Sequence, residues 1–157
     1  PETICGKDPS WAEYVRRMLM AEDDLAWFSE QLKAEFPGEP FMPLGFGDHQ
    51  PFLTQEFLEP APGDSRTPAR NSDGYRTFFR ITGVNFTPDW SAVPSSIDTP
   101  FLGNVMLRAA RLPRHGFYND RDKLMELCHG RYEDCPHQDE ILSFHQRLID
   151  SNTIINK

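Results

Sequence analysis

Apolar and polar positions alternate most regularly between Tyr75 and Phe86. Tyr75, Thr77, Phe79 and Ile81 interleave with Arg76, Phe78, Arg80 and Thr82, a period of two carried by β-branched and aromatic side chains. The run follows the turn signal Asn71-Ser72-Asp73-Gly74 and is interrupted at Gly83, where a bulge or a close backbone approach is expected. It is the one convincing strand pattern in the chain. A lone strand leaves its backbone donors and acceptors unpaired, so it requires a partner within the chain or on another chain.

Elsewhere the spacing is helical. A long first helix is predicted from a capping box at Ser10 and Glu13, with Asp8-Pro9 as a start one turn earlier. Trp11, Val15, Met18, Leu25, Leu32 and Phe36 form its apolar stripe, widened by Tyr14, Leu19 and Phe28. Glu22, Asp23 and Asp24 fall midway, where the helix either continues or divides, and Pro37-Gly38 ends it. A second helix starts at Thr99-Pro100 and carries Phe101, Leu102, Val105, Met106, Ala109 and Leu112 on one broad face up to Pro113. Asn119 or Asp120 caps a third, running through Leu124, Leu127 and Cys128 to Gly130. A fourth opens at Cys135-Pro136, with Ile141, Leu142, His145, Leu148 and Ile149 sharing a face.

Residues 37–63 are punctuated by proline and glycine yet contain Phe41, Met42, Leu44, Phe46, Phe52, Leu53, Phe57 and Leu58. That is too apolar for a solvated linker and predicts an irregular strap docked into the core. Phe52 to Leu58 reads as a short helix or, by a small margin, as the strand that pairs with Tyr75–Thr82. Residues 59–74 have no apolar side chains besides proline, Ala61 and Ala69, and predict a mobile loop. The expected fold is α+β: one helix-rich domain over residues 1–157, with about four helices, a small antiparallel sheet around 75–86, and long irregular segments.

Composition adds limits on function. A 157-residue chain that is 38% hydrophobic and 12% aromatic has the material for a real core. The net charge of −8 is uneven: residues 1–65 carry −9 and residues 66–157 carry +1. An acidic first half argues against nucleic acid and anionic membrane as partners, because both need a cationic face. It suits a basic partner, although solubility alone also explains it. No apolar run is long enough to span a bilayer, and the first residues lack a signal-peptide pattern. Three cysteines, an odd number, fit a reducing compartment and hence the cytoplasm.

Candidate chemistry is densest in CHGRYEDCPH, residues 128–137. Cys128, His129, Cys135 and His137 have zinc-ligand chemistry but not a standard zinc spacing. The plainest account is two half-buried thiols beside a helix–helix turn, followed by zinc and a reversible Cys128–Cys135 disulfide as rarer alternatives. Cys135 as a nucleophile with a histidine base lacks any surrounding signature. Asp48-His49 and His115 are isolated. Arg108 and Arg111 lie one turn apart with Arg114 beyond, and Arg76 and Arg80 share a strand face. Together they would form an anion site if the faces converge, or they pair internally with the acidic first helix. Neither a P-loop, a strand-linked GxGxxG nor HExxH occurs.

These residues predict a non-enzymatic interaction domain (an inhibitor, antagonist, adaptor or assembly subunit) that presents an acidic face to a basic protein, without cofactor or metal. Glu22, Asp23, Asp24, Phe41, Phe46 and Phe52 are its candidate contacts. The alternative is a small enzyme that joins the arginines to the 128–137 cluster or to Asp48 and His49.

Overall fold

The first element is helix α1, Pro9–Glu35, which starts at the earlier of the two predicted positions, where proline's fixed φ suits a first turn. In this computed structural model, residues 9–50, 60–61, 64–68 and 76–151 are described. The helix passes through Glu22-Asp23-Asp24 without dividing. Exposed carboxylates there leave the backbone ladder intact, and Glu22 is ion-paired with Arg80. The helix ends as foreseen at Pro37-Gly38, with Gly38 at φ +87°. Asn85 then donates Nδ2 to the carbonyls of Phe36 and Glu39, both at 2.8 Å, satisfying acceptors that a helix end leaves open.

The predicted strand is present, shorter than its alternation. β1 (Leu44–Phe46) pairs antiparallel with β4 (Phe79–Ile81) in the register Leu44↔Ile81, Gly45↔Arg80, Phe46↔Phe79. The partner is therefore the start of the strap; Phe52–Leu58, the slightly favoured candidate, lies outside the described residues. Alternation does its work here: Ile81 is buried and Phe79 half-buried, while Phe78 and Arg80 face outward. Past Gly83, an isolated bridge joins Phe41 to Val84, which is fully buried. Within the 59–74 stretch, β2 (Pro60–Ala61) and β3 (Asp64–Pro68) form a second antiparallel pair.

The chain forms two compact units, Pro1–Phe86 and Thr87–Lys157. The second unit begins with a 3-10 turn at Trp90–Ala92, capped by Asp89. A second such turn, Thr99–Phe101, leads into α2 (Leu102–Ala109), followed by α3 (Phe117–Leu127) and α4 (Gln138–Asp150). Its core is Phe101, Leu102, Val105 and Ala109 against Leu124, Met125 and Cys128, with Ile141, Phe144 and Leu148 from α4. Helix α3 starts two residues before the expected Asn119 cap, with Gly116 as its cap at φ 55°. The face expected on α4 is rotated. Phe144 is buried in place of Leu142 and Ile149, which are exposed, because the i, i+3, i+7 set 141, 144, 148 makes the narrower seam. The fold class is the expected helix-rich α+β.

Candidate functional site

A polar network on the second unit gathers most of the charged side chains with clear geometry. Asp122 of α3 is 8% exposed and accepts from Arg108 Nε at 2.8 Å and from Asn104 Nδ2 at 3.2 Å, while Arg114 Nε meets its other oxygen at 3.0 Å. Burial pushes its carboxyl pKa up, but the hydrogen bonds of Arg108 and Asn104 and the charges of Arg108 and Arg114 outweigh this and leave it below the usual value. Asn104, fully buried, also donates to the Tyr118 carbonyl at 2.7 Å and accepts from Arg121 Nε at 2.7 Å. Arg108 reaches on to Glu126, and its own pKa is raised, first by the Asp122 hydrogen bond.

Arg111 stands at the edge of the same region, three-quarters exposed, with Nε 3.5 Å from Asp89 Oδ2. The other Asp89 oxygen is taken by the Ser91 amide at 3.2 Å and the Ser91 hydroxyl at 2.6 Å. The hydroxyl is the main reason the Asp89 pKa is lowered. Arg108, Arg111 and Arg114 line a cleft of about 660 Å³ with Leu112, Asn119 and Glu126. The structure thus brings Arg108 and Arg111 together, as expected, and pairs both internally, although with α3 and Asp89 rather than with the first helix. Arg80 does pair with the first helix, through Glu22. Arg76 is exposed and belongs, with Arg80, to the first unit.

The second candidate surface is α1 itself. Of its 27 residues only Ser29 is buried, while Leu19, Met20, Trp27 and Phe28 are exposed by 61%, 49%, 65% and 48%. Trp27 is nine residues, or about two and a half turns, from Met18 and so lies opposite the predicted stripe. Met20 and Trp27, seven apart, share that outer face, with Asp23, Asp24 and Glu30 between or beside them. Three of the helix's carboxylates are engaged: Glu22 by Arg80, Glu30 by Lys33, and Glu13 by Arg16 and Arg17, whose hydrogen bonds hold its pKa at about 2. Asp23 and Asp24 are exposed and make no ion pair among the described residues. Phe46 is 49% exposed, and Phe41 is half-buried against Phe36, ring centroids 5.6 Å apart. Phe52 lies outside the described residues.

The 128–137 cluster is resolved by a covalent bond. Cys128 and Cys135 form a disulfide with Cα atoms 4.7 Å apart, in place of the expected free thiols. Both are buried, at 1% and 3% exposure, and their sulfurs are not available to a metal in this state. The reason is local: α3 ends at Leu127 and the chain folds back through left-handed His129 and Gly130, which returns Cys135 to the end of α3. The cytoplasmic expectation rested on the odd cysteine count rather than on the state of this pair. His129 and His137 are both exposed, and no group of three or more metal-ligand side chains occurs among the described residues. His49 Nδ1 is 2.9 Å from the Gln50 carbonyl and its ring lies 3.7 Å from Asp48, with both side chains largely in solvent.

Sequence reasoning takes Asp122 for a first-turn carboxylate favoured by the helix dipole alone and misses its network with Asn104 and Arg121, as it misses Trp27. For the first three, a polar four-residue spacing, Asn104 to Arg108 and Tyr118 to Asp122 to Glu126, runs through apolar helix faces and signals a buried network. For Trp27 the signal is a large aromatic placed off the apolar stripe. No helix among the described residues is long and apolar enough to cross a membrane. Comparison with protein families, with curated proteins and with solved structures finds no match.

Proposed function

We propose that this is a non-enzymatic interaction protein that binds a basic protein partner through the outward face of α1. The carrying observation is the 27-residue helix with a single buried side chain and a 65% exposed tryptophan beside Asp23 and Asp24, which make no ion pair among the described residues. Helices of this length gain most of their stability from packing an apolar face. An outer face bearing Leu19, Met20 and Trp27 is therefore a binding surface in its composition, with aromatic anchors amid charges. Asp23 and Asp24 supply the long-range attraction, and Phe46 is a further exposed anchor on the same unit. The Cys128–Cys135 bond favours a compartment that oxidises thiols as the place of action.

Charge reversal tests the electrostatic part. Asp23→Lys with Asp24→Lys, leaving Glu22 to Arg80, slows association with the captured partner several-fold at low salt. The difference fades as ionic strength shortens the screening length to about 8 Å. An unchanged association rate accompanied by a lower melting temperature would make the acidic face structural and remove the reading.

A further inference from the structure

The cleft beside Arg111 does not end at the arginines. A second hollow of about 380 Å³, lined by Pro94, Ile97, Val105 and Met125 with His129 and Gly130, shares Ala92, Arg108 and Glu126 with the first, so the two are lobes of one groove. Each lobe has a residue in an uncommon backbone state. Helix α2 closes with Arg111 N–H on the Arg108 carbonyl and Leu112 N–H on that of Leu107; α3 closes with His129 N–H on Glu126 and Gly130 N–H on Met125. Both are paired helix-end motifs whose left-handed position ordinarily takes glycine. Here that position holds Arg111 at φ 55° and His129 at φ 50°. Two helix ends retain a strained, polar side chain where glycine would be cheaper, and both side chains line the same groove.

We infer that this groove is a binding site for a small amphiphilic carboxylate, its anionic head at Arg111 and Arg114 and its apolar body along the partly exposed Pro94 and Ile97, above the buried Val105 and Met125. Volumes of this order suit a small ligand. Arg111 and Arg114 meet their internal carboxylates through Nε, and neither guanidinium has a further hydrogen bond or ion pair among the described residues. The forked donors that recognise a carboxylate therefore remain for a ligand. Glu126, 68% exposed at its side chain, competes for Arg108 and is free to swing into water when a ligand arrives. The groove is built from the second unit alone and α1 belongs to the first, so the assignment stands or falls without the reading of α1.

The test is calorimetric titration of the full chain with decanoate below its micellar concentration, with inorganic phosphate and 1-decanol as controls. Decanoate binds, and both controls bind far more weakly. Arg111→Gly weakens decanoate by about tenfold, as loss of a charged hydrogen-bond donor does, yet raises the melting temperature by relieving the left-handed arginine. Glu126→Gln tightens decanoate by about threefold, the effect of removing one exposed competitor. Trp27→Ala leaves decanoate binding as it is. Absence of decanoate binding, equal affinity for phosphate or decanol, or an affinity indifferent to both Arg111→Gly and Glu126→Gln would each overturn the assignment.

Discussion

Asp122→Ala lowers the stability of the protein by about 2–3 kcal/mol, at or just below the roughly 3–5 kcal/mol that breaking a fully buried ion pair costs. The carboxylate is 8% exposed, and its removal strands Arg108 and Arg114 and takes one acceptor from Asn104. Arg108 keeps Glu126 and is a quarter exposed, which moderates the loss. Asp122→Asn is milder, because shape and one acceptor survive. The same group sets a pH dependence. Its folded pKa lies below the unfolded carboxylate value, so its contribution is complete above about pH 4 and disappears as pH falls through the lower folded value. Chemical denaturation of wild type and Asp122→Ala between neutral and acid pH checks both points. A gap that stays constant down to the lowest pH would show that the carboxylate acts by packing and not by charge.

Removing the disulfide costs about as much. Joining positions seven apart closes a short loop, for which the chain-entropy account gives about 2 kcal/mol. The bond also fixes the reversal between the end of α3 and the start of α4, whose Ile141, Phe144 and Leu148 complete the core of that unit. The Cys128→Ala/Cys135→Ala double variant therefore unfolds at lower denaturant than wild type. Alkylation of the unreduced, denatured wild type labels Cys5 alone. Labelling of all three cysteines would mean that the thiols are free in the native protein.

What was legible in the sequence was mostly local. The four helices follow from spacing and punctuation, since proline, glycine and apolar period act within a few residues of where they are read. Strand β4 was legible for the same reason. Its partner was not: Leu44-Gly45-Phe46 is three residues long and centred on glycine, and pairing is decided by tertiary register rather than by pattern. The rotation of α4 was hidden because Ile141, Leu142, Phe144, Leu148 and Ile149 are apolar nearly all round, so period alone does not choose the buried side. The arginines at 108 and 111 were legible as neighbours on a turn. Their carboxylate partners sit on another element, and only folding brings Asp122 and Glu126 opposite them. The disulfide was one of the alternatives, but an odd cysteine count pointed to free thiols. Spacing says nothing of the left-handed turn at His129-Gly130 that brings the two sulfurs together.

The reading of α1 rests on an imbalance between its length and what it buries. Among the described residues, the first unit buries only Ser29, Ile81 and Val84. That is little apolar surface against so long a helix, and it leaves Trp27 as the largest side chain without cover. A truncated tryptophan at the centre of an interface typically costs about 2 kcal/mol or more of binding, or about thirtyfold in affinity. At a largely exposed position the same truncation changes stability by no more than about 0.5 kcal/mol. The decisive measurement is therefore titration of the partner, captured on immobilised wild-type protein, against wild type and Trp27→Ala, with melting temperatures taken alongside. The outward face of α1 as the binding surface predicts a loss of about thirtyfold at an unchanged melting temperature. Equal affinity for the two proteins would contradict it.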